Sequence, residues 1–124
     1  MNTQQAAKWF GWIILAVGIL GFIPGIVTPS GLLLGIFSVD AMHNIIHILT
    51  GIVALASAGT LKGAKLYFKI FGIVYALVTI LGLMSSNGMV LGMMMNTADN
   101  LLHVVITLFA LYFGFRNEST TVTM

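Results

Sequence analysis

Residues 67–84 read YFKIFGIVYALVTILGLM, and the reading of this stretch decides the fold. Its length is near the roughly 20 residues that cross a ~30 Å hydrocarbon layer as a helix. In lipid the backbone must satisfy its own hydrogen bonds, so an isolated strand is excluded and a helix is expected. Three further runs share its character. WFGWIILAVGILGFIPG starts at Trp9 and is ended by Pro24 and Pro29; IIHILTGIVALASAGTL ends before Lys62; LLHVVITLFALYFGF stops at Arg116. The expected class is all-α, a four-transmembrane-helix bundle in one membrane domain over residues 1–124.

The opening stretch also has a partner. KWFGWIILAVGILGF aligns with KIFGIVYALVTILGL, which matches Lys8 with Lys69 and Gly11 with Gly72. LLLGIFSVDAMHNIIH aligns with MVLGMMMNTADNLLH, matching His47 with His103 when one loop residue is dropped. Each unit holds two spans, so the copies run in the same sense. Hairpin repeats over about 8–61 and 66–116 are expected, related by a pseudo-twofold axis along the membrane normal. The tail 117–124 is polar and reads as disordered.

Composition agrees with lipid as the solvent. Hydrophobic residues make up 59% of the 124 and charged residues 6%, against about 25% charged in soluble domains. A formal charge of +2 is too small and too dispersed for a nucleic-acid partner. The absence of cysteine removes disulfides, thiolate metal sites and iron–sulfur clusters. Lys8 precedes the first run as in a signal peptide, but no small-residue cleavage site follows, so that run reads as retained.

All five basic residues, Lys8, Lys62, Lys65, Lys69 and Arg116, fall on the side of both termini and the central loop. The other loops, roughly 24–41 and 83–97, carry none. By the positive-inside rule the termini are cytoplasmic, with those loops facing outward. Trp9 and Trp12 sit where an interfacial aromatic belt belongs.

The ionisable residues cluster. DAMHNIIHILT (40–50) and NTADNLLHVVIT (96–107) hold all three histidines and two of the three acids. Asp40 and Asn96 occupy helix-cap positions. His43 and Asp99 follow three residues later, then Asn44 and Asn100, then His47 and His103. Side chains four apart share a helix face. That face continues through Thr50, Gly51, Ala54 and Ala58 in the second span, and through Thr107, Ala110 and Gly114 in the fourth. Small residues mark close helix approach in membranes. If those faces meet, His43, His47, Asp99 and His103 converge into a site for Zn²⁺ or another divalent transition metal, with Asn44 and Asn100 orienting the ligands.

Other readings of the same residues stand beside this one. Asp40 and Asn96 serve as ordinary caps, and Asp99 as a capping-box partner favoured by the helix dipole. His47 and His103 would then only join the two hairpins. They could instead be the axial ligands of haem b, although the small faces below argue against helices held that far apart. Met89, Met93, Met94 and Met95, with Met42 beside His43, suit Cu(I) or simply fill apolar space in a surface-lying or re-entrant stretch, SSNGMVLGMMM.

Function follows in the same order. A metal-binding module comes first, and an accessory subunit of a larger membrane assembly or homo-oligomer second. Transport is third, because the middle of each span is apolar or small. An enzyme is the weaker reading, since no nucleophile or substrate pocket accompanies His47.

GILGFIPG, LLGIF, HNIIHILTG, GIVYALVTILGL and ADNLLHV, which span about residues 11–113, resemble an uncharacterised family of small bacterial four-span membrane proteins, a domain of unknown function. The resemblance implies a bacterial cytoplasmic membrane and the same four-helix fold, and it implies no activity or cofactor.

Overall fold

The computed structural model describes residues 1–118; the part of the polar tail from residue 119 on, expected to be disordered, lies outside the described residues. Among them the chain forms four helices: α1 (Thr3–Leu20), α2 (Ala41–Ser57), α3 (Leu61–Met84) and α4 (Thr97–Phe115). Two small antiparallel hairpins interrupt the helices. β1 (Leu32–Leu33) pairs with β2 (Phe37–Ser38) before α2, and β3 (Met89–Val90) pairs with β4 (Met93–Met94) before α4. The methionine-rich stretch thus contains the second hairpin.

Each helix starts on a side chain that satisfies its open N–H groups. Asn2 and Gln5 form a reciprocal capping box, which carries α1 back to Thr3, well before the apolar run. Thr60 accepts from Gly63 N and starts α3 directly after α2. α3, at 24 residues, and α4, at 19, are long and apolar enough to cross a membrane. α2 is as apolar but runs for 17 residues, about 25 Å at ~1.5 Å per residue. α1 opens on the polar Thr3, Gln4 and Gln5.

α1 lies antiparallel along α2, and α3 along α4. The seams are glycines without room for a side chain. A Cβ on Gly51 would sit 2.7 Å from Gly11 O, and one on Gly114 would sit 2.8 Å from Lys69 N. This differs from the expectation that the small faces of α2 and α4 meet each other. Gly51 and Gly114 seat each helix on its own hairpin partner, where the backbones come closest. α2 and α4 instead meet through larger side chains, the imidazoles described below.

The two ends of the bundle differ in chemistry. One is hydrocarbon and aromatic: the Phe10 ring lies 5.8 Å from Phe68 and 5.9 Å from Phe109, between centroids. The same end ties the first and last described residues together. Thr3 donates from its backbone N and Oγ1 to Glu118, Arg116 pairs with Glu118, and Lys65 Nζ donates to the Arg116 carbonyl. Burial pushes the Glu118 carboxyl up, but hydrogen bonds from Arg116 and Thr3 hold it below the ordinary carboxylate value.

The opposite end carries the hairpins. Val90 pairs with Met93 around the two-residue turn Leu91-Gly92, while Leu33 pairs with Phe37 around Leu34, Gly35 and Ile36. The additional loop residue is the one that the alignment of the two stretches has to drop. Leu34 (φ 54°) and Leu91 (φ 52°) both take the left-handed conformation, which costs a side-chain-bearing residue about 1–2 kcal/mol. In both loops, of different length, a left-handed leucine is followed by a left-handed glycine, Gly35 and Gly92.

The hairpins are fastened crosswise. Ser38 N in β2 donates to Asp99 Oδ2 of α4 at 3.1 Å, and Met94 N in β4 donates to Asp40 Oδ2 at the start of α2 at 2.7 Å. Each hairpin is thereby held over the helix of the other half.

Candidate metal centre

Asp40 caps α2 by accepting from His43 N at 2.8 Å, which fixes the first turn and directs His43 and His47 along one face. His103 faces them from α4. His43 and His103 are each 2% exposed and His47 is 5% exposed. Ring centroids are 4.5 Å apart for His43–His47, 5.8 Å for His43–His103 and 6.2 Å for His47–His103. One ring nitrogen from each lies within 4.8 Å of the others. A tetrahedral ion with ~2.0–2.1 Å bonds needs nitrogens about 3.3 Å apart, so closure asks for side-chain movement of up to about 1.5 Å.

The nitrogens have reason to close. His43 Nδ1 and Nε2, His47 Nδ1 and His103 Nδ1 are buried without a hydrogen-bond partner. An orphaned buried polar atom costs about 1–3 kcal/mol, and native proteins keep few of them. Each neutral imidazole offers one lone pair, so the three histidines supply three potential donors between them. Tyr75 joins it from α3: its ring is 5.6 Å from His103, and its hydroxyl is likewise buried and unpartnered.

The remaining residues singled out from the sequence are placed differently. Asp99 accepts from Ser38 N and Asn96 N through Oδ2, and it completes a capping box with Asn96. It stands outside the imidazole group. Asn44 donates to Gly21 O at 2.8 Å and Asn100 to Gly82 O at 3.3 Å, so each ties a helix to the end of its hairpin partner rather than orienting a histidine. Gly21 and Gly82 are glycine because a Cβ at either would overlap the asparagine carboxamide. Asn96 caps α4 and also donates to Ile36 O across the hairpins.

The histidines, together with Met93 and Met95, line a cavity of about 260 Å³ between α2 and α3. Both methionines are buried, whereas Met42, Met89 and Met94 are exposed. The rim consists of exposed apolar side chains, Leu49 and Val53 on α2 and Val74 on α3. Haem does not fit here. His43 sits 4.5 Å from His47 and 5.8 Å from His103 between centroids, in the space that a macrocycle bound by those two would need. At about 260 Å³ the cavity is also below the ~300–1,000 Å³ of drug-sized ligand sites.

Residues 4–116 match the family described as Domain of unknown function (DUF4383). The chain belongs to that family. Comparison with the curated proteins and with the solved structures found no match. The DUF4383 match runs from α1 to the end of α4, so every residue of the cluster lies within it. The family brings no assigned reaction, and the chemistry rests on the geometry. Sequence reasoning passed over Tyr75, whose signal is a single hydroxyl-bearing aromatic in the middle of an apolar run. It also passed over the crosswise fastening, which uses backbone N–H groups and leaves no side-chain pattern to read.

Proposed function

We propose that this DUF4383 protein is a four-span membrane protein that holds a transition-metal ion on His43, His47 and His103. The observation that carries this reading is the set of four buried imidazole nitrogens without partners, gathered from two helices. Three neutral imidazoles with an open fourth position are a familiar donor set for first-row metals. Asp99, Asn44 and Asn100 serve the scaffold in this reading.

Membrane placement is part of the proposal. All four helices carry large exposed apolar side chains, among them Trp12 and Ile13, Leu49 and Ile52, Leu77 and Ile80, Val105 and Leu108. Apolar surface on this scale belongs against lipid or partner proteins. The tandem hairpins would form a single domain, repeats 8–61 and 66–116 about a pseudo-twofold axis, with the left-handed leucine–glycine pairs and matched Asn44 and Asn100 contacts in support. Both termini would be cytoplasmic with the hairpins outside. Because the chain has no cysteine, single substitutions report topology cleanly. Ser30→Cys and Ser86→Cys should react with an impermeant maleimide on intact cells, and Lys62→Cys should not. Labelling of Lys62→Cys alone would reverse the orientation.

The function is tested by metal analysis of detergent-purified protein. About one equivalent of a transition metal is expected, reduced at least tenfold by His47→Ala with His103→Ala. Less than about a tenth of an equivalent, unchanged by those substitutions, would remove the metal reading.

A second reading has its own observation. Leu34 and Leu91 project exposed from the hairpin turns, as they would on a subunit docking to a larger membrane assembly or a second copy. Native separation after gentle extraction should then show the protein in a larger complex, and a stable lone monomer would end that reading.

A further inference from the structure

We infer that the ion is monovalent and soft, Cu(I), and that a thioether from the β3–β4 hairpin completes its coordination. This rests on the metal-binding reading above and specifies it. Three observations lead here.

The first is the donor set. Met93 and Met95 are buried, 6% and 5% exposed, and they line the same cavity as His43, His47 and His103. Imidazole combined with thioether selects Cu(I) over hard dications, which favour carboxylate and water.

The second is charge. Among the described residues no Asp, Glu, Lys or Arg lines the cavity. The two nearby acids are occupied: Asp40 accepts from His43 N and Met94 N, and Asp99 from Ser38 N and Asn96 N. Every donor on the cavity wall is neutral, so the bound ion keeps its full charge in an apolar surround. The desolvation cost of an ion grows as the square of its charge, so a dication pays about four times what a monocation does. Three neutral imidazoles alone would also suit Zn²⁺, but in this apolar surround the dication bears the larger desolvation cost, which tilts the choice toward Cu(I).

The third is that the hairpin carrying Met93 and Met95 is anchored. Met94 N donates to Asp40 Oδ2 at 2.7 Å, and Met95 N donates to Gly88 O at 2.7 Å. The residues on either side of the Met94 anchor are the two that line the cavity. The two hydrogen bonds fix the backbone from which Met93 and Met95 reach the cavity that the imidazoles also line.

The test is anaerobic titration of the detergent-solubilised full chain with Cu(I) against a chromophoric Cu(I) chelator, with Zn²⁺ titrated in parallel. Cu(I) should bind one-to-one with a Cu–S shell in X-ray absorption. Met93→Leu with Met95→Leu should abolish that shell and weaken Cu(I) at least about tenfold, with helix content and elution volume unchanged. Stoichiometric Zn²⁺ binding at micromolar protein, or Cu(I) binding that the double leucine variant leaves untouched, overturns the inference while metal binding itself survives. If neither ion binds, the metal reading falls and this inference falls with it. Should the double variant misfold, the absorption spectrum of the unaltered protein decides: nitrogen-only coordination refutes the thioether.

Discussion

At the start of α2 the carboxylate is the cap, Asp40, and the residue three positions on is His43; at the start of α4 the cap is Asn96 and the third residue is Asp99. The two first turns share almost everything else. Both are followed by an asparagine that donates to the last turn of the preceding helix, Asn44 to Gly21 and Asn100 to Gly82, and then by a buried histidine. Each turn needs one carboxylate to receive the hairpin of the other half, and either position can supply it. Moving that carboxylate to the cap in the first half leaves position 43 free to carry an imidazole. The matched framework thus produces an unmatched site, with two histidines from one half and one from the other.

Positions 43 and 99 can be separated by experiment, and the largest effect is expected on metal. His43→Leu removes one of three donors and should weaken metal binding by about 10–100-fold. Asp99→Asn keeps an acceptor oxygen toward Ser38 N and Asn96 N and should leave affinity within about threefold, as expected for a group outside the ligand set. Equal losses in the two variants, measured by competitive titration, would return Asp99 to the coordination sphere.

The contrast between these positions also marks what the sequence could reveal. The four helices were legible because four apolar runs are separated by turn residues and caps. The proposed tandem arrangement rests on glycine, asparagine and histidine recurring in the same order. Helical spacing put His43 and His47 on one face of α2, while their meeting with His103 was expected through small-residue faces that in fact pack elsewhere. The role of Asp99 was not legible, because a carboxylate at the third helical position suits a capping box and a metal equally well, and only the position of Ser38 N separates them. The seams were misassigned for a related reason. Gly51 and Gly114 announce a close neighbour without saying which helix it is. The fold makes that choice against chain proximity: α2 is joined to α3 by only residues 58–60, yet Gly51 packs on α1 and Gly114 on α3.

A medium effect is expected at the crosswise bonds. Asp40→Ala removes a cap and the acceptor of Met94 N, and Asp99→Ala removes a capping-box partner and the acceptor of Ser38 N. Each should lower stability by about 2–3 kcal/mol, the sum expected of a lost cap and a charge-assisted hydrogen bond. Hydrogen exchange sharpens the comparison. Asp40→Ala should accelerate exchange at Met94 while sparing Ser38, and Asp99→Ala should do the reverse. Both amides responding to either substitution would mean that the two hairpins open as one unit rather than being held separately.

The smallest effect lies at the far end of the bundle, where Glu118 closes the aromatic core by joining Thr3 to Arg116. Its carboxyl is held below the ordinary value by those hydrogen bonds, against the burial that raises it. A group lowered in the folded state stabilises above its unfolded pKa, and that contribution is lost as pH falls through the folded one. The clasp should therefore be complete at neutral pH and fade only in acid, below the ordinary carboxylate range. Being near the surface, it should contribute no more than about 1 kcal/mol. Glu118→Gln should lower the unfolding temperature slightly at pH 7 and flatten its acid dependence, leaving metal affinity unchanged because the histidines sit at the other end. An unaltered acid limb in the glutamine variant would show that the clasp does not set the acid dependence and would remove Glu118 from that role.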